Sequence, residues 1–76
     1  MPHVDIKSFP REFTDEEKQA LADDITEVIV RRFASKTDSV SVSLQHVSPD
    51  AWRETVYEPE IIGQPEFLIK KPGYSM

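Results

Sequence analysis

Seventy-six residues make one small domain, which at this length buries only roughly 60 % of its unfolded surface and is marginal unless it is stapled or oligomeric. The absence of cysteine excludes disulfides and thiolate metal sites, and no stretch is apolar and long enough for a signal peptide or a membrane span, so a cytoplasmic location with no membrane partner is expected. Nine Lys and Arg against fourteen Asp and Glu leave a net charge of -5, which repels nucleic-acid backbones at long range and makes a nucleic-acid partner unexpected; an anionic substrate needs local arginines to overcome this field.

The chain opens Met1-Pro2 and passes directly into His-Val-Asp-Ile-Lys-Ser-Phe over residues 3 to 9. Val4 and Ile6 alternate with His3, Asp5 and Lys7, the period-2 pattern of a half-buried strand. Removal of Met1 would leave Pro2 with a secondary amine, a group able to carry protons if an apolar or cationic pocket brings its pKa toward neutrality. Pro10-Arg11 ends the strand, and Thr14-Asp15-Glu16-Glu17 reads as a capping box. Leu21, Ile25, Val28, Ile29 and Phe33 then fall on one helical stripe, with acids in the first turn and Arg31-Arg32 in the last. The spacing predicts an amphipathic helix over 15–34.

A second alternation, Val40, Val42 and Leu44, predicts a second strand in the segment 40–47. Strand, helix and strand in this order form a βαβ unit with parallel strands and a right-handed crossover. Two strands and one helix leave both sheet edges and much of the helix poorly covered. The fold class expected is therefore α/β: one βαβ unit that dimerises about a two-fold axis into a four-stranded sheet backed by two helices. Ser48-Pro49-Asp50 predicts a short helix carrying Trp52. Beyond it, Pro59, Gly63 and Pro65 predict short helical segments rather than one continuous element, with the tail around Tyr74 covering the partner subunit.

Arg11 lies at the carboxyl end of the first strand and Pro2 at the other. Seven residues of strand span about 23 Å at ~3.3 Å each, so a small site using both must be built across subunits. Trp52 is the only tryptophan and is either an interface anchor or a pocket wall. His3 and His46 have no ligand spacing, the carboxylate pairs lie on an exposed helix face, and with two glycines there is no phosphate loop; no cofactor and no metal are expected.

The start Pro2-His-Val-Asp-Ile, the phrase Arg11-Glu-Phe-Thr-Asp-Glu-Glu-Lys18, the strand Ser39-Val-Ser-Val-Ser-Leu44 and the segment Pro49-Asp-Ala-Trp52 together resemble the tautomerase superfamily, of the 4-oxalocrotonate tautomerase type. The ending Leu68-Ile-Lys-Lys-Pro-Gly-Tyr-Ser-Met76 is similar to a dimeric branch of it. The resemblance implies one tautomerase-like domain over residues 1–76, with Pro2 as catalytic general acid and base after loss of Met1. It implies Arg11 and a wall residue near Trp52 as substrate contacts. A second family arginine is replaced by Ser41, and Arg53 is the candidate to stand in for it. The expected function is enol-keto tautomerisation of a small 2-hydroxy-enoic acid such as phenylenolpyruvate by a homodimer. With one arginine instead of two, a monoacid should be handled better than a dicarboxylate such as 2-hydroxymuconate. The alternatives are a non-catalytic dimeric binding module of the same fold, or an amine that acts as a nucleophile.

Overall fold

The computed structural model describes all residues from Met1 to Met76. Strand β1 (His3–Ser8) and strand β2 (Ser41–His46) form a parallel two-stranded sheet in the register His3 to Ser41 through Ser8 to His46. Helix α1 (Asp15–Phe33) makes the crossover. This is the expected βαβ unit, with each strand a residue or two shorter than its sequence pattern.

Both ends of α1 arise from local chemistry. The Thr14 backbone N–H donates to Glu17 Oε1 at 2.9 Å and the Glu17 N–H donates to Thr14 Oγ1 at 3.1 Å, so the capping box satisfies two otherwise unpaired donors. The helix stops one residue before the expected end, because Ala34 takes the left-handed conformation with φ 53° and ψ 38°.

The two sheet faces differ in kind. On one, Val42 and Leu44 lie against Leu21 and Ala22 of α1, leaving an open groove between helix and strand. The other is a polar ladder: Asp5 Oδ1 accepts from Ser43 Oγ at 2.7 Å and from Gln45 Nε2 at 2.9 Å, while His3 Nδ1 lies 2.6 Å from Ser41 Oγ. The two hydrogen bonds, aided by the charges of Lys7 and His3, hold Asp5 below the usual carboxylate pKa.

Helix α2 (Pro49–Trp52) starts as expected, with Ser48 Oγ accepting from the Ala51 N–H at 3.3 Å. Past Trp52 the chain departs from the expectation of separate turns. It continues without a break into a π-helix, Arg53–Ile62, that runs through Pro59. A proline has no N–H to donate in any helical register and its ring crowds the preceding turn of an α-helix; the chain passes Pro59 in the wider π register instead. The same i to i-5 pairing closes the element, where the Gly63 N–H donates to the Glu58 carbonyl at 2.8 Å. A short 3-10 turn, Pro65–Phe67, precedes the irregular tail.

Only Val56 and Tyr57 of this π-helix are fully buried, at 6 % and 7 % exposure. Val28 and Phe33 of the predicted stripe are exposed, as are Ile62, Phe67 and Ile69. The accessible surface is 6154 Å², against about 4,700 Å² for a compact monomer of this mass. The radius of gyration, 14.1 Å, exceeds the ~11 Å of a compact chain of this length. No helix is long and apolar enough to cross a membrane.

Candidate active site

Pro2 is half-buried at the start of β1, and its carbonyl accepts from the Ser41 N–H at 3.2 Å. That bond and the His3 to Ser41 side-chain contact hold the chain immediately after the Pro2 nitrogen, while Met1 before it projects into solvent. Six residues of β1 then separate Pro2 from the far end of the strand by about 20 Å, at ~3.3 Å per residue.

At that far end a groove of about 620 Å³ is lined by Lys7, Phe9, Arg11, Phe13, Trp52 and Tyr74, among others. It brings together two of the residues singled out from the sequence, Arg11 and Trp52. The ring of Trp52 is fixed twice: Phe9 meets it edge-on at 5.2 Å between centroids and 87°, and its Nε1–H donates to Tyr74 Oη at 3.0 Å. The guanidinium of Arg11 lies over the Phe13 ring at 4.5 Å, a cation-π contact that leaves its N–H donors free.

The charges near the groove are unequally committed. Lys7 Nζ donates to Glu60 Oε2 at 2.7 Å and lies 3.9 Å from Asp5, and the Glu60 hydrogen bond, with its charge, raises the Lys7 pKa. Arg53 stands on the π-helix away from the groove, with its Nε donating to Glu58 Oε1 at 2.9 Å. Arg11 has no carboxylate within ion-pair distance. It is the groove's one uncommitted cation. Its field reaches Glu17, whose pKa is lowered mainly by the Thr14 backbone and hydroxyl donors and secondarily by Arg11.

Pro2 and Arg53 are thus not brought to this groove within one chain, whereas Arg11 and Trp52 are. Sequence reasoning missed Phe9, Phe13 and Tyr74 as groove walls. Phe9 was legible as the last residue of the strand pattern, but Tyr74 carried only a turn signal in Pro72-Gly73. It folds back onto its own chain, its ring 5.7 Å from that of buried Tyr57.

A family model described as "Tautomerase enzyme" matches residues 2–55. The tautomerase PptA of Klebsiella pneumoniae (strain 342) is 63 % identical over 76 residues, the whole of both chains. The tautomerase PptA of Escherichia coli O127:H6 is 55 % identical, again over the whole of both. Among solved structures, DmpI from Helicobacter pylori superposes with a TM-score of 0.55 at 26 % identity, covering 62 % of this chain and 78 % of that one. The branch that the C-terminal phrase resembles is that of PptA. By its matched residues and its full-length relatives the chain belongs to the tautomerase family, in the PptA branch, and is an enzyme of the isomerase class with tautomerase activity.

Proposed function

We propose that the chain, as a cytoplasmic homodimer freed of Met1, interconverts the enol and keto forms of small 2-hydroxy-enoic acids such as phenylenolpyruvate, with Pro2 as the proton shuttle. The observation that carries this reading is the groove that joins one unpaired arginine to an aromatic wall. A cation receives the carboxylate of an acid, and Phe9, Phe13 and Trp52 offer area for an aryl group. Since Lys7 and Arg53 already serve Glu60 and Glu58, the groove offers one charge, which favours a monoacid over a dicarboxylate.

The free edge of β1 supplies the missing base. A two-fold axis normal to the sheet and beside β1 sets it antiparallel to its copy, which carries the Pro2 of one protomer toward the Arg11 groove of the other. There the amine takes the enol hydroxyl proton and returns one to carbon. One group does both because Arg11 lowers the amine's pKa toward neutrality.

The test is ketonisation of phenylenolpyruvate by untagged protein whose intact mass shows Met1 removed, beside an equally processed Pro2→Ala variant. A rate well above buffer that collapses in the variant supports the reading. Equal rates in the two proteins would sink it.

A further inference from the structure

We propose that Tyr74 is a substrate contact in this groove: its hydroxyl donates a hydrogen bond to the oxygen on the substrate's second carbon and so selects for 2-oxygenated acids. This role rests on the reading of the groove as the substrate site. An indole N–H can only donate, so in the 3.0 Å bond between Trp52 Nε1 and Tyr74 Oη the tyrosine is the acceptor. Its one proton is therefore directed elsewhere, and no protein group takes it.

Each of the other side-chain donor groups along the groove has a protein acceptor. Lys7 donates to Glu60, the Ser8 hydroxyl to the Phe9 carbonyl at 3.0 Å, and the Trp52 indole to Tyr74. Arg11 and Tyr74 are the two left without a protein acceptor. An enol or 2-keto acid presents two oxygenated centres, its carboxylate and its C2 oxygen, and the guanidinium suits the former. The phenol is left for the latter, where negative charge grows as the proton leaves; a donor fixed in advance binds that charge more tightly in the transition state than in the ground state. Fixing comes from Tyr57, buried beneath the Tyr74 ring, and from Trp52, itself held by Phe9.

Tyr74→Phe keeps the ring on Tyr57 and removes only the hydroxyl. The expected result is a fall in kcat/KM for phenylenolpyruvate of about a hundredfold, the low end of what loss of one oxyanion donor costs. The inhibition constant of trans-cinnamate, an aryl acid with no C2 oxygen, should stay unchanged, which also reports that the groove remains folded. An unchanged kcat/KM overturns the proposal. So does a parallel loss of cinnamate binding, which would mean that Tyr74 merely props Trp52. A wild-type protein that is inactive on phenylenolpyruvate and blind to cinnamate would instead remove the substrate reading on which the proposal stands.

Discussion

In the proposed dimer, Arg11 of one protomer sets the charge around Pro2 of the other. Arg11 is unpaired at one end of β1, and at the other the Ser41 N–H holds the Pro2 carbonyl. Arg11→Ala should lower kcat/KM for a monoacid and move the acidic limb of the pH-rate profile upward. The sign comes from removing a cation near the amine: the amine's pKa rises, and the neutral form needed as base appears only at higher pH. An unmoved limb would separate Arg11 from the Pro2 nitrogen. Ser41→Arg adds a second cation beside Pro2 and should shift the ratio of kcat/KM for 2-hydroxymuconate over phenylenolpyruvate in favour of the dicarboxylate, measured on both substrates with the same preparation.

Among the elements, the helix caps carry the clearest consequences. Glu17 and Asp5 both ionise more readily than ordinary carboxylates, the first through the Thr14 donors and the second through Ser43 and Gln45. A depressed folded-state pKa stabilises the fold above the unfolded value, and that stability is lost as pH falls through the folded one. Thermal stability should therefore be flat through neutrality and fall below about pH 4, and Glu17→Gln, which removes one of these two carboxylates, should make that acid limb shallower in a melting series. Gly63 is fixed by close approach: a Cβ there would sit 2.7 Å from the Pro59 carbonyl oxygen and 2.8 Å from that of Glu58. Backbone oxygens at the end of a helix cannot move aside as a side chain can, so Gly63→Ala should destabilise by about 1–3 kcal/mol, the cost of overpacking, read by denaturant unfolding.

The same elements show where the sequence was legible. Both strands and α1 are local periodic patterns with local stop signals, and each was readable from its own residues. The π-helix was not, because Pro59 reads as a helix breaker and no local pattern announces the π register that carries the chain through it. The groove was half legible. Arg11 and Trp52 stood out by type, but Tyr74 reaches them through contacts with Tyr57 and Trp52 that no short-range pattern encodes. Val28 and Phe33 belonged to a stripe wider than a two-stranded sheet can cover, so they remain at the surface of the single chain.

The molecule as a whole carries an excess of about 1,400 Å² of accessible surface over a compact monomer of its mass, more than the ~800 Å² per partner of a standard interface. Exposed Phe33, Phe67 and Ile69 form part of that excess. With the proposed dimer covering it, melting temperature should rise with protein concentration, since subunits that fold only together are linked by mass action. The central claim is that the amine of one protomer works over the Arg11 groove of the other, and mixing two dead variants tests it most directly. Processed Pro2→Ala and Arg11→Ala proteins, each of low activity alone, are unfolded together in equal amounts and refolded. Shared sites predict a return to about one quarter of wild-type activity, because half the dimers are mixed and each mixed dimer regains one intact site of two. Activity that stays at the mean of the two parent variants would place Pro2 and Arg11 in the same chain's site and contradict the account.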